Sequence, residues 1–266
     1  KAQNRRGMWG YDASHGSSDF SNTQFALLGL HEAGRAGVKI PEKVWRAAER
    51  AYTVCQQRDG GWGYTPDPSS STGSMTTAAI ASLYIVGNAL EMRSEAGFTE
   101  EGVAPRCGRY AEFRPIARGL EWLARNFTAG RNPSGSGWHY YYLYGVERVG
   151  ILSGLRFYGA HDRYREGAEV LVRLQRRDGS WREINAIVDT AFGLLFLAKG
   201  HKSILFQKLQ WSADNAWNLD RNDLANLTAF IGDRLGDPVT WQVTSVSSPL
   251  EEWLSAPILY LNGHVP

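Results

Sequence analysis

Gln56-Gln57-Arg58-Asp59-Gly60-Gly61-Trp62 recurs as Gln175-Arg176-Arg177-Asp178-Gly179-Ser180-Trp181, giving the shared pattern Q-x-R-D-G-x-W. Internal repetition of this kind marks a repeat architecture. A weaker copy runs from Gln3 to Trp9, and a degenerate one ends in Gly135-Ser136-Gly137-Trp138. The residues downstream of each turn repeat too. Thr23 lies 14 residues after Trp9, Thr76 lies 14 after Trp62, and Thr190 lies nine after Trp181. From each threonine runs an apolar stretch rich in Gly and Ala, such as Phe25-Ala26-Leu27-Leu28-Gly29-Leu30.

Each unit therefore reads as two helices. The first, starting near the Thr, is apolar nearly all round and belongs inside. The second is amphipathic, with Val44, Ala47, Ala48, Ala51, Val54 and Cys55 keeping helical spacing. Pro41 suits its first turn, and the D-G turn reads as its left-handed C-cap. Four pairs are expected: 21–34 with 41–57, 74–91 with 115–127, 141–159 with 163–176, and 187–199 with 221–235. The polar segment 93–112 reads as a loop inserted in the second pair. After Gly236 the pattern changes to strands over 239–244 and 257–261, the second apolar throughout as in a buried parallel strand. The fold class expected is mainly α: an α/α toroid or open arc of about four inner and outer helix pairs, with short β-strands at the C-terminus. The domains are 1–236 for the repeats and 237–266 for the start of an α/β unit. The half-repeat at Gln3 and the unpartnered last strand predict a fragment at both ends, and an arc whose first inner helix leaves an apolar flank.

Composition narrows the classes of function. The 266 residues are 43% hydrophobic and 21% charged, which excludes a disordered chain. Lys+Arg is 29 against Asp+Glu 27, a net charge of +2 with no basic footprint for nucleic acid. No stretch reaches the roughly 18 apolar residues of a membrane span, and the opening residues do not read as a signal peptide. Cys55 and Cys107 supply neither a disulfide framework nor a four-cysteine zinc site. The excess is aromatic: 10 Trp, 12 Tyr and 10 Phe.

The Gln-to-Trp turn is similar to the repeat motif of squalene and oxidosqualene cyclases. Arg118-Gly119-Leu120-Glu121-Trp122-Leu123 matches its first half, with Phe127 where Gln would stand; Val170-Leu171 through Gln175, Gly179 and Trp181 matches its second. The chain more closely resembles bacterial proteins with prenyltransferase- and squalene-cyclase-like repeats, in which a run like Tyr140-Tyr141-Tyr142-Leu143-Tyr144-Gly145-Val146-Glu147-Arg148-Val149-Gly150 is typical. There the repeats precede an α/β domain of unknown function, whose first strands residues 239–264 resemble, with Ala256-Pro257-Ile258-Leu259-Tyr260-Leu261-Asn262-Gly263-His264 the recognisable piece. The resemblance covers about residues 1–200 and implies an α/α toroid. It does not supply a reaction. The cyclase D-x-D-D is absent, Asp220-Arg221-Asn222-Asp223 being its nearest approach. Also absent are D-D-x-x-D, the prenyltransferase zinc set and the Cys-Gly-Glu-Gln thioester. A shared fold does not carry function across such gaps.

The geometry of the repeat still offers one place for chemistry. Every turn leads into an inner helix, so the inner N-termini should open on one rim with their unpaired N–H groups. Tyr11, Asp12, His15, Asp19, Tyr64, His139, Tyr140 and Tyr141 lie between turn and helix or at the helix start. Of these, Tyr11, His15, Tyr64, His139, Tyr140 and Tyr141 are candidate ligand contacts, together with Tyr144 and Arg148. The Tyr140–Tyr144 cluster is read as packing or as a binding platform. Glu147 and Arg148, adjacent in an apolar helix, are read as a buried ion pair or a ligand contact. Asp189 is a helix-start acid or a catalytic one; Asp189, Glu147 and Asp19 are the acids to consider for a glycosidase pair. No paired ligand spacing surrounds His15 or His139, so neither metal nor cofactor is expected. The function expected is a non-catalytic or degenerate toroid module that recognises an apolar or carbohydrate ligand or another protein. The rivals are an enzyme acting on an isoprenoid in the cavity and a sugar-processing hydrolase or lyase.

Overall fold

The computed structural model describes residues 2–12, 17–94, 113–200 and 203–263. The segment 95–112 with Cys107, and also His15, lie outside the described residues. The protein is about 52% helical.

The repeat turns are hydrogen-bonded modules. In each, the leading glutamine donates from Nε2 to the carbonyl of the glycine four residues on: Gln3 to Gly7 at 3.0 Å, Gln56 to Gly60 at 2.8 Å and Gln175 to Gly179 at 3.0 Å. Gln3 and Gln56 also reach Val44 O and Pro115 O, tying the turn to the start of the next outer helix. The Trp backbone N–H then donates to the downstream threonine hydroxyl, Trp9 to Thr23, Trp62 to Thr76 and Trp181 to Thr190, all at 3.0–3.1 Å. The indoles of Trp62 and Trp181 are buried and each donates at 2.8 Å to a carbonyl of the preceding outer helix, Tyr52 O and Leu171 O. The glycine carries φ of +83°, +96° and +82° at Gly7, Gly60 and Gly179, a region where a side chain is strained. It is not the helix C-cap that the sequence suggests. The outer helices end earlier, at Cys55 and Gln175, with negative φ. The glycine serves the tight turn beyond them.

Four inner helices emerge from these turns: α1 Phe20–Arg35, α3 Gly73–Ser94, α5 His139–Ser153 and α7 Ala186–Gly200. They pack in the succession α1–α3–α5–α7. The outer helices are α2 Glu42–Val54, α4 Arg114–Asn126 and α6 Arg163–Leu174. α2 and α4 lie on α3, and α6 lies on α5 and α7. α3 over 73–86 and α5 over 139–150 are buried nearly all round, which is why these stretches lack a polar face. On α2 the buried stripe is Trp45, Ala48, Ala51 and Tyr52; Val54, expected to face inward, is exposed. α5 stops at Gly154, short of the expected 159, because the chain turns left-handed there with φ of +72°. A short hairpin, β1 Phe157–Tyr158 with β2 His161–Asp162, leads into α6. The apolar flank expected on the first inner helix is larger on the last, where Ile187, Leu194 and Leu195 of α7 are exposed.

The C-terminal part corrects the sequence reading. A strand not foreseen, β3 Ser203–Gln210, is the centre of a parallel sheet of order β4–β3–β5, with β4 Val239–Ser245 and β5 Ile258–Tyr260. α8, Asp223–Leu235, packs on β4 and β3 as the crossover between them, not as the outer partner of α7. A boundary at 236 therefore separates β3 and α8 from the strand they pack against. β5 is an edge strand with Ile258 and Leu259 exposed, not a strand buried on both faces. β3 escaped the sequence reading because Gln207 and Lys208 interrupt its apolar run, yet both are fully buried. Lys208 Nζ is saturated by Asn218 Oδ1, Asp220 O and both oxygens of Asp223 at 2.8–3.1 Å. Burial holds its ammonium below the ordinary lysine range, against the pull of Asp223.

Candidate functional site

All four inner helices bring their N-terminal ends to one cleft of about 560 Å³. α1 contributes Ser21, Asn22 and Phe25, α3 Ser74 and Met75, α5 Trp138 and Tyr141, and α7 Val188 and Phe192. The turn-to-helix loops add Tyr11 and Tyr64, whose hydroxyls meet at 3.1 Å. The rings form a continuous wall. Phe25 stacks on Tyr141 at 6.2 Å between centroids, Phe192 packs on Tyr141 at 5.3 Å, and Trp138 meets Tyr141 edge-on at 6.5 Å.

Trp138 departs from the other turn tryptophans. It is 48% exposed, occupies the N-cap position of α5 and has φ +61° and ψ +35°. A bulky residue in the left-handed region is an outlier that costs on the order of 1–3 kcal/mol, and such residues cluster at ligand sites. The degenerate turn copy is thus no structural anchor; it puts an indole at the mouth of the cleft.

Behind Tyr141 lies a buried polar chain. Arg148 is 8% exposed, with its guanidinium over the Tyr144 ring at 5.4 Å. Its Nη1 donates to Gln24 Oε1 at 2.9 Å, Gln24 Nε2 donates to the Tyr141 hydroxyl, and that hydroxyl donates to Ser21 Oγ at 3.2 Å. Arg148 Nη2 has no partner, and no carboxylate among the described residues pairs with the guanidinium. Burial pulls Arg148 below the ordinary guanidinium range. Burial also pushes the Tyr141 hydroxyl up to about 12, so it stays a protonated donor at neutral pH.

The remaining candidates fall elsewhere. Asp19 is the N-cap of α1, accepting from Asn22 N at 2.7 Å and Asn22 Nδ2 at 2.8 Å. Asp189 Oδ2 accepts three backbone N–H groups, from Glu183, Ile184 and Asn185, at 2.7–3.0 Å. Glu147 pairs with Arg163, not with Arg148, and faces a separate cavity of about 330 Å³ against the sheet. Burial raises its carboxyl above the usual range, and Arg163 opposes that. His139 is buried, with Nε2 2.7 Å from Ala129 O; Tyr140 is buried beside it, and Tyr144 packs on Phe192. None of these three lines the cleft. Of the expected ligand contacts, Tyr11, Tyr64 and Tyr141 come together. Sequence reasoning missed Trp138, Phe25, Phe192, Ser21 and Gln24. The available signals were a tryptophan without its Gln and Thr partners, and a glutamine inside an otherwise apolar helix.

Among the described residues no group of three or more His, Cys, Asp or Glu converges as a metal site, and no helix is long and apolar enough to cross a membrane. No family model and no curated protein matches the chain.

Proposed function

We propose that the protein is a non-catalytic recognition module, an open α/α-toroid-type arc whose rim cleft receives a ligand with a flat or apolar body. The succession α1–α3–α5–α7 with outer helices behind it supports the arc. The observation that carries recognition is the cleft, walled by Tyr11, Phe25, Tyr64, Trp138, Tyr141 and Phe192. Its volume and lining suit a small molecule. The acids that a sugar-processing enzyme would require are engaged otherwise: Asp19 and Asp189 hold backbone N–H groups and Glu147 holds Arg163. Cyclase and prenyltransferase motifs are missing from the chain, which disfavours an isoprenoid reaction.

Aromatic walls accept either an apolar ring or the flat face of a sugar. Titration with 2-naphthol and with cellobiose, followed by intrinsic tryptophan fluorescence, separates the two. The expected result is saturable binding of at least one probe, abolished in Trp138→Ala with the melting temperature kept. Binding that is unchanged in that variant, or no saturable response to either probe, would count against the reading.

A further inference from the structure

The polar chain behind the cleft has a direction set by chemistry. A guanidinium only donates, so Arg148 fixes the carbonyl end of Gln24 toward itself and the amide N–H toward Tyr141. The tyrosine oxygen, having accepted, sends its hydrogen to Ser21 Oγ. Ser21, having accepted in turn, keeps its own hydrogen, and Ser21 lines the cleft. Hydrogen bonds in such a series polarise one another. The polarisation set up by buried Arg148 is thereby passed to a donor that opens on the cleft, on the second residue of α1. A buried cation without a counter-charge is costly, and a bound anion supplies the missing charge.

We propose that the cleft selects a ligand bearing a carboxylate at one end of its flat or apolar body, the carboxylate accepting from Ser21 Oγ at the outlet of this chain. One guanidinium calls for one negative charge. The Asp19 carboxylate, capping the same helix end, disfavours a dianion such as a phosphate monoester. The inference rests on the recognition reading of the cleft and adds the head group.

The test compares 2-naphthoate, 2-naphthamide and 2-naphthyl phosphate, which share one ring system, by calorimetric titration. The acid should bind roughly tenfold tighter than the amide, as a charge-assisted hydrogen bond implies, and tighter than the phosphate. Ser21→Ala should bring acid affinity down to the level of the amide, erasing the preference, with the melting temperature kept. Arg148→Gln should erase it too; if that variant does not fold, Ser21→Ala at its partly exposed position decides alone. Equal affinity for acid and amide, or a preference that survives Ser21→Ala, overturns the carboxylate while leaving recognition standing. A phosphate that binds tightest overturns the choice of head group. Failure of all three probes overturns this inference, and the reading beneath it falls as well where cellobiose gives no saturable response either.

Discussion

Trp62 and Trp138 have opposite duties. Trp62 is fully buried, with its indole hydrogen-bonded, and truncating it leaves a cavity and an orphaned carbonyl. Trp62→Ala should lose about 3–5 kcal/mol, read by denaturant unfolding. Trp138 is half-exposed in a conformation that glycine adopts without strain. Trp138→Gly should therefore raise the melting temperature while abolishing probe binding, the usual conflict between stability and a strained site. A fall in melting temperature for Trp138→Gly would return this tryptophan to the structural set. Glu147 gives a pH signature. Its folded carboxyl titrates above its unfolded value, so the folded state holds the proton more tightly. That contribution is complete below about pH 4.3 and is lost as pH rises through the folded value. Melting curves across this range should show the wild type losing ground to Glu147→Gln as pH rises; parallel curves would contradict the assignment.

At the level of elements, the helices of the first three expected pairs were visible in the sequence because period and turn chemistry agree. Gln, Gly, Trp and Thr each make the same contact in all three complete turns. The rest was hidden where a polar residue is buried with partners distant in sequence. Lys208 looks like a surface residue until Asp223 closes on it from α8, and without Lys208 the strand, and with it the role of α8, cannot be read. The site was half visible for a related reason. The rim tyrosines sit just beyond the turns, whereas Gln24 and Arg148 meet across 124 positions. Removing one partner of a buried pair costs about 3–5 kcal/mol, so Lys208→Met and Asp223→Ala should each destabilise by that order. The double variant should lose less than the sum, as a double-mutant cycle in urea would read; simple additivity would mean that the pair is not coupled.

Over the whole molecule, the helical layers and the sheet are joined at Gly154. Its carbonyl accepts from Val243 N at 2.8 Å, and the Trp241 ring lies where a Cβ would stand, 2.2 Å from the ring's Cζ3. Gly154→Ala should therefore loosen the sheet from the helices. Hydrogen exchange should quicken in β3 and β4 while α3 keeps its protection; uniform change across both would place the joint elsewhere. The threonine clamp has a consequence for how such a protein diversifies. It closes an excursion of 14 residues after Trp62 and one of nine after Trp181 with the same bond, so the length of the excursion can vary over an unchanged clamp, while buried residues such as Ser71 and Met75 stay part of the packing. The rim is then a set of exchangeable inserts on a fixed frame, as in antibody variable domains. Grafting a foreign loop in place of the largely exposed stretch 65–70 would reprogram what the cleft admits and leave the frame's melting behaviour as it was.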